Sequence, residues 1–295
     1  MIENQVKKKF KRLNVNQLHS FKDHPFKVID NEDMDNLIDS IKEQGILMPL
    51  IVRPIPNSET DYEIVSGHRR LHAAIKAGLT EVPTLVYELD KDQAIIAMVD
   101  SNLNRETILP SEKAFAYKMK NDAMKSQGKR NDLTSDPVGR KLAGIETTQI
   151  IGGSNGDSQT QVKRYIRLTH LIPELLDYVD EGKIKMRPAV ELSYLSEEEQ
   201  AMVYDEMKYF DCTPSHTQSI KLKEISQQSY LSTEIIKMIM SEQKPNQQEH
   251  ISFKLDELKK YFPKDYKQKD IYEAVIKLAE KDYKRRQRIN SRDER

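Results

Sequence analysis

Residues 62–86 read YEIVSGHRRLHAAIKAGLTEVPTLV, and this stretch decides the fold of the first part of the chain. The β-branched and aromatic residues before Gly67 predict a strand, and apolar residues at helical spacing follow it. Those apolar positions are Leu71, Ala74 and Ile75. Gly78 ends the helical pattern, and residues 82–87 predict another strand. Strand and helix alternating over so short a stretch predict an α+β domain.

The segments on both sides extend this domain. Apolar residues recur at helical spacing over residues 33–44 and again over residues 91–104, so each segment is predicted to be a helix. The apolar run at residues 50–52, closed by Pro54, predicts a strand. We therefore predict one α+β domain over residues 21–109.

The composition excludes a membrane protein and a disulfide-rich secreted protein. The 295 residues are 32% charged and 37% hydrophobic, and the mean hydropathy is −0.71. No run of about 18 apolar residues is present, and the basic start of the chain lacks the apolar stretch of a secretory signal. The single cysteine, Cys212, has no partner for a disulfide or a zinc site. We expect a cytoplasmic protein with no membrane partner.

Charge is balanced over the whole chain. There are 47 basic and 47 acidic residues, so net charge does not indicate a nucleic-acid partner. Two segments are locally basic, residues 7–12 and residues 281–295. A solvated or disordered terminus explains each of them more readily than a binding surface does. We predict a basic N-terminal arm over residues 1–20.

The second half of the chain is predicted to be helical. A capped helix begins at Pro110, and weak periodicity over residues 128–145 predicts a mobile connector before helices resume. These helices form a predicted domain over residues 110–225. A polar break at residues 242–249 precedes two amphipathic stretches. Residues 226–295 are predicted to be a helical C-terminal segment that either mediates dimerisation or packs as a tail.

The turn after the strand at residues 62–65 combines a glycine with cationic side chains. Gly67 is followed by His68, Arg69 and Arg70, and the predicted helix begins there. Unpaired N–H groups and the positive end of the helix dipole attract an anion, and guanidinium groups bind phosphate oxygens in pairs. Arginines that open a helix are also often only solvated, so the spacing alone leaves a phosphate site open.

Three segments resemble the N-terminal domain of ParB partition proteins and their nucleoid-occlusion relatives. They are IKEQGILMPLIVRP at residues 41–54, the stretch at residues 62–86, and VDSNLNRETILP at residues 99–110. The resemblance implies an α+β ParB/sulfiredoxin-like fold that binds CTP and Mg²⁺. By position, the implied nucleotide-binding residues are Ser66, Gly67, His68, Arg69, Arg70, Asn102 and Arg105, and Asn102 is the implied metal ligand.

Two departures from the family pattern bear on metal binding and hydrolysis. The commonest ParB turn reads Gly-Glu-Arg-Arg, and this chain has His68 in place of that Glu. The third segment commonly begins Glu-Asn, and this chain has Ser101 before Asn102. Because Mg²⁺ prefers carboxylate oxygens, the two replacements weaken metal-assisted CTP hydrolysis without excluding a weak activity. Sulfiredoxin chemistry is excluded, since it needs a cysteine in this turn.

A second pattern lies at residues 147–168. A short helix at 147–151, a turn at 155–157 and an N-cap at Ser158 have the spacing of a helix-turn-helix motif. The predicted DNA-binding residues face outward: Ser158, Gln159, Thr160, Gln161, Lys163, Arg164 and Arg167. A helical hairpin with a polar face would show the same pattern. Residues 158–195 also resemble the recognition helix and following helices of ParB proteins, most clearly the mobile-element versions.

The leading hypothesis combines the two sites. The resemblance implies a sequence-specific binder of double-stranded DNA that acts as a CTP-dependent dimeric clamp in plasmid, chromosome or mobile-element partition. A nucleoid- or plasmid-associated location and a ParA-type ATPase that contacts residues 7–12 are implied with it. Two alternatives stay open: a site-specific transcriptional regulator with a degenerate nucleotide site, and a ParB-fold nucleotide-dependent small-molecule kinase.

Overall fold

The computed structural model of this protein places its residues in two compact units, Met1–Glu242 and Gln243–Arg295. The residues it describes are 8–21, 24–58, 60–103, 105, 108–131, 146–229, 231–242, 260–263 and 266–293. The first unit holds both candidate sites. In the described part of the second unit, a single helix runs from Gln268 to Asp293.

A mixed five-stranded sheet organises the N-terminal domain. Its strands are β1 (Lys8–Asn14), β2 (Leu18–Ser20), β3 (Leu50–Pro54), β4 (Tyr62–Ser66) and β5 (Glu81–Tyr87). Their order is β1-β5-β3-β4-β2. Strands β1 and β5 are antiparallel, as are β3 and β4, whereas β3 and β5 are parallel and so are β2 and β4.

Helices cover both faces of the sheet. They are α1 (Glu32–Gln44), α2 (His68–Lys76) and α3 (Lys91–Leu103). Successive residues of a strand point to opposite faces, and Ile64 and Val65 show this directly. Ile64 packs with Leu71 of α2, and Val65 packs with Met98 of α3. The turn between β4 and α2 therefore lies where the two packed layers meet.

The remainder of the first unit is helical. Its helices are α4 (Pro110–Asn131), α5 (Thr147–Asn155), α6 (Gln159–Leu168), α7 (Pro173–Asp180), α8 (Met186–Leu192), α9 (Glu197–Tyr209), α10 (His216–Gln228) and α11 (Thr233–Ser241). Helix α4 packs against both the N-terminal domain and the helices that follow it. Its Ala116 and Ala123 pack with α3, whereas Tyr117 packs with Ile151 and Val162 of α5 and α6. The predicted fold class, an α+β domain followed by helices, is confirmed.

The structure differs from the predicted domain boundaries at two places. Residues 8–20, predicted as a basic arm, contribute β1 and β2 to the sheet. Residues 226–241, predicted as the start of the C-terminal segment, end α10 and form α11, whose Ile236 and Ile239 are buried in the helical core. Apolar burial explains the second difference, because these side chains complete that core. Residues 255–259 of the predicted C-terminal helix lie outside the described residues.

The helix bounds also refine the prediction at α4. The sequence predicts a connector from residue 128, and α4 continues to Asn131. Residues 132–145 of that connector lie outside the described residues. Within the described chain, no helix combines the length and the apolar character that crossing a membrane requires.

Candidate functional site

The first candidate site is the turn between β4 and α2. Gly67 has φ +111°, a backbone conformation that side-chain-bearing residues rarely adopt. A Cβ at this position would also lie 3.0 Å from Leu50 Cγ and 3.2 Å from Arg70 Nη2. No side chain caps α2, so the N–H groups of its first turn keep their capacity to bind an anion. Both the turn and its open helix end depend on glycine.

Arg70 holds this turn against the preceding loop. Its Nη1 donates hydrogen bonds to the Met48 carbonyl at 2.5 Å and the Pro49 carbonyl at 2.9 Å. Burial lowers the pKa of the guanidinium. Arg70 was predicted as a phosphate ligand, and the structure shows that one of its nitrogens already orders the Met48–Pro49 loop.

Arg69 and Arg105 form the accessible cationic pair of this site. Both side chains are half-buried, and the Arg105 guanidinium lies 5.4 Å from the centre of the Phe26 ring. Burial lowers the pKa of Arg105, the Glu112 carboxylate partly offsets this, and the charge of Arg69 lowers it further. The sequence predicted these two arginines from separate segments, and the fold brings them within electrostatic reach of each other.

Two neighbouring imidazoles, tilted by 41° to each other, complete the first site. The His24 and His68 rings lie 3.8 Å apart between centroids, and His24 Nδ1 lies 2.8 Å from the Phe26 carbonyl oxygen. Both Nε2 atoms are buried and have no hydrogen-bond partner among the described residues. Burial, then His24 and Arg105, lower the pKa of His68 to about 3, and burial also lowers the pKa of His24. Sequence reasoning missed His24, which lies in an irregular segment with no motif.

The residues around this turn do not fit a protein-bound Mg²⁺. Asn102 is 5% exposed, and its Nδ2 donates to the Met98 carbonyl at 2.8 Å. The Glu112 carboxylate accepts hydrogen bonds from the backbone N–H groups of Lys27 and Leu109 at 2.8 and 3.2 Å. Among the described residues no group of three His, Cys, Asp or Glu side chains could hold a metal. Because Mg²⁺ favours carboxylate ligands, Asn102 alone is a poor site.

The second candidate site is the helix-turn-helix formed by α5 and α6. Gly152 accepts a 3.1 Å hydrogen bond from the Asp157 N–H, and a Cβ on Gly152 would overlap the Asp157 carbonyl oxygen. Gly152 is therefore required by the close approach of the turn. Asp157 accepts a 2.5 Å hydrogen bond from Tyr117 and pairs with Lys113 at 2.7 Å, so α4 fixes the turn.

Most of the predicted DNA-binding residues share the outer side of α6. Ser158 caps the helix by accepting a hydrogen bond from the Gln161 N–H at 3.2 Å. Thr160 and Lys163 are exposed, and Arg164 is half-exposed. The inner side is fixed by Val162, which is fully buried. The structure therefore presents a basic and polar surface one helix wide.

Arg167 differs from the other outward residues because it packs α6 on α8. Its Nε donates to Ser193 Oγ at 3.0 Å, and its Nη2 donates to the Ser193 carbonyl at 2.6 Å. The guanidinium also lies 4.0 Å from the centre of the Tyr194 ring. These contacts assign Arg167 a role in supporting α6.

Comparison with protein families matches residues 1–103 to the ParB N-terminal domain. The match spans about a third of the chain, and residues 1–103 are therefore similar to that domain. The ParB-type domain so identified contains the whole sheet and α1 to α3, which confirms the resemblance of its three segments.

Similarity to full proteins extends beyond this domain. The chromosome-partitioning protein Spo0J of Thermus thermophilus is 34% identical over 176 residues, which are 60% of this chain and 56% of that protein. The chain spans about half the length of the curated relatives that it matches. The aligned length exceeds the ParB-type domain, so the likeness includes part of the helical region.

Two solved structures are similar over most of the chain. C-terminally truncated ParB from Caulobacter crescentus, complexed to the centromeric parS site, is 22% identical with a TM-score of 0.43 and covers 74% of this chain and 100% of its own. The same truncated protein complexed with CTP-gamma-S is 26% identical with a TM-score of 0.31 and covers 68% of this chain and 98% of its own. Because both TM-scores are low, these two structures do not assign site residues in this chain.

Proposed function

We propose that this protein is a ParB-like partition protein that binds a specific double-stranded DNA site through α6 and a nucleoside triphosphate, CTP, at the β4–α2 turn. The observation that carries the nucleotide part is the convergence of Arg69, Arg105 and the open first turn of α2 around Gly67. Positive charge accumulates there, and among the described residues the nearby Glu112 carboxylate is already held by two backbone N–H groups. A bound triphosphate supplies that balance.

The departures from the family motif shape how the triphosphate is held. The imidazole of His68 stands at the carboxylate position, and Asn102 directs its amide nitrogen to the Met98 carbonyl. We therefore propose that guanidinium and backbone N–H groups provide the phosphate contacts, and that Mg²⁺ reaches the site only on the nucleotide. Asn102 then has a structural role, because its hydrogen bond to Met98 stabilises the last turn of α3. Weak CTP hydrolysis is not part of the proposal.

Titration calorimetry with CTP, ATP, GTP and UTP, each with Mg²⁺ and with EDTA, tests the nucleotide site. We expect CTP to bind, and EDTA to change the affinity only a few-fold. Replacing Arg69 or Arg105 with Ala should weaken binding about 10- to 100-fold, since each removes charge-assisted hydrogen bonds. Arg12→Ala, an exposed arginine on β1, is the matched control and should leave affinity unchanged.

The DNA site is tested by selecting duplexes from a random library with the whole protein. We expect one enriched sequence, and Arg164→Ala should weaken binding to it while sparing CTP. Arg69→Ala should spare DNA binding and abolish any effect of CTP on it. Loss of both activities in both variants would contradict two separate sites.

The proposal has three further parts: a dimeric clamp, a ParA-type ATPase as partner, and a nucleoid- or plasmid-associated location. They follow from the similarity to chromosome-partitioning proteins. Sedimentation of the full chain with and without CTP and selected DNA tests the dimer. A chain that stays monomeric under all conditions would exclude the dimeric clamp. The mobile-element subtype stays a prediction from residues 158–195.

A site-specific regulator with a degenerate nucleotide site is the second candidate. Two observations favour it. Arg70 already donates to the Met48 and Pro49 carbonyls, and Glu112, the carboxylate described near Arg105, is already held by backbone N–H groups. The same titrations decide between the candidates, because the regulator selects a DNA sequence and binds none of the four triphosphates.

A further inference from the structure

Glu146 precedes α5 directly and contacts two outward side chains of α6. Its Oε2 atom lies 2.7 Å from Lys163 Nζ and accepts a 2.7 Å hydrogen bond from Gln159 Nε2. The Thr148 hydroxyl donates to the same oxygen at 3.2 Å. The Lys163 ammonium, with Gln159 and Thr148, lowers the pKa of this carboxyl, so it is ionised at neutral pH. One anion thus engages two of the proposed DNA-contacting residues.

Folding does not explain this arrangement. Lys163 and Glu146 side chains are 52% and 61% exposed, and exposed ion pairs contribute little to stability. Gln159 and Lys163 are four residues apart, so they lie on one side of α6. A carboxylate beside that side repels DNA phosphates and competes with them for the Lys163 ammonium. The arrangement therefore opposes binding that depends on charge alone.

We propose that Glu146 is a specificity-determining residue that withholds Lys163 from DNA of arbitrary sequence and holds the Gln159 amide in one orientation. The inference rests on the proposed entry of α6 into DNA. Non-specific binding is almost wholly electrostatic, so the competing carboxylate weakens it most. Binding to the selected site also uses base contacts, which do not depend on the charge of Lys163. Glu146 therefore widens the ratio between the two affinities.

Glu146→Gln tests this inference because it removes the charge and keeps a hydrogen-bonding side chain. Two probes are used, a random-sequence 24-base-pair duplex and the duplex selected by the wild-type protein. We expect the variant to bind the random duplex roughly three- to tenfold more tightly, with a salt slope steeper by about 0.9, the value of one added phosphate contact. Binding to the selected duplex should gain less, so the specificity ratio should fall.

Two further variants isolate the cause. Glu181 pairs with Lys183 at 2.6 Å, and both side chains are half-exposed, so Glu181→Gln removes a similar charge away from α6. It should leave the salt slope unchanged. Lys163→Met should remove the steeper slope when it is combined with Glu146→Gln, because the released ammonium is then absent. Melting temperatures of all variants establish that each is folded.

Each outcome decides the inference. Equal effects of Glu146→Gln and Glu181→Gln, or a steeper slope that persists with Lys163→Met, would overturn the role of Glu146 while leaving DNA binding intact. An unchanged or larger specificity ratio would overturn it as well. If the wild-type protein binds neither duplex at low salt, the proposed function itself fails.

Discussion

The β4–α2 turn and the α5–α6 turn both contain a required glycine and both precede a helix that carries basic side chains, but their charges are balanced differently. At the first turn, Arg69 and Arg105 lie within electrostatic reach of each other, and the nearby Glu112 carboxylate is held by backbone N–H groups. At the second turn, Glu146 already pairs with Lys163. Excess positive charge at the first turn favours an anion, whereas at the second turn Glu146 engages Lys163 until a stronger partner displaces that contact.

The two turns also differ in what holds them. Arg70 holds the first turn through two backbone carbonyls of the neighbouring loop. The second turn is held by Tyr117 and Lys113, which both belong to α4. The first turn can therefore respond to a ligand within its own domain, whereas the second depends on a helix that the two domains share.

The largest expected effect concerns the α5–α6 turn. Gly152→Ala should destabilise the protein by about 3 kcal/mol, because a Cβ there overlaps the Asp157 carbonyl and the turn must shift. Gly153→Ala is the matched control, since a Cβ at Gly153 meets nothing within 4 Å. It should stabilise by up to about 1 kcal/mol, because alanine favours a helix. Urea denaturation measures both, and equal effects would contradict the close approach.

A pH titration of stability tests the first turn. The pKa of His68 is lowered to about 3 in the folded protein, so the unfolded chain binds more protons below pH 6.5. Stability is therefore fully present above pH 6.5 and falls as the pH decreases toward 3. For this one group the loss between pH 7.5 and pH 5 is about 2 kcal/mol.

His68→Gln should remove most of that pH dependence, and His216→Gln, in the helical domain, should leave it in place. Urea denaturation at pH 7.5 and pH 5 gives the comparison. An anion bound at the turn favours protonated imidazole, so CTP should also reduce the acid sensitivity of the wild-type protein. A wild-type curve that is flat over this range would show that His68 is not held neutral.

The smallest expected effect concerns the tie between α4 and the second turn. Tyr117→Phe removes the 2.5 Å hydrogen bond to Asp157 and should destabilise by about 1 to 2 kcal/mol, since Lys113 still pairs with that carboxylate. Tyr165→Phe is the control, because its hydroxyl makes no hydrogen bond with a described residue. Thermal melting measures the difference. Equal melting temperatures would mean that α4 holds the turn by packing alone.

Local patterns predicted the helices and strands well where glycine or a cap marks an end. Gly45 ends α1 with φ +70°, and Ser158 caps α6, so both helices end or begin within a residue of the prediction. Strand β1 was not predicted, because its sequence pattern is that of an edge strand. Phe10 is 65% exposed and only Leu13 is buried, so the apolar alternation that marks a strand is absent.

The candidate sites were predicted in part. Motif spacing predicted the glycine turn with its arginines and the outer side of α6. It did not predict His24 or Glu146, because each of these residues contacts its partners only in the folded chain. Arg167 was assigned to DNA from its position on α6, but its contact with Ser193 depends on where α8 packs. Contacts between distant segments lie beyond any local pattern.

The pairing of β1 with β5 matters for anyone who shortens this protein. Residues 8–14 pair antiparallel with residues 81–87 along the whole strand, and β2 pairs with β4. A version that begins after residue 20 would lack β1 and β2, so β5 and β4 would become the edge strands. Their unpaired backbone N–H and C=O groups could then pair with strands of other chains. Such a fragment would aggregate, and a tag at its new terminus would sit beside an open hydrogen-bonding edge.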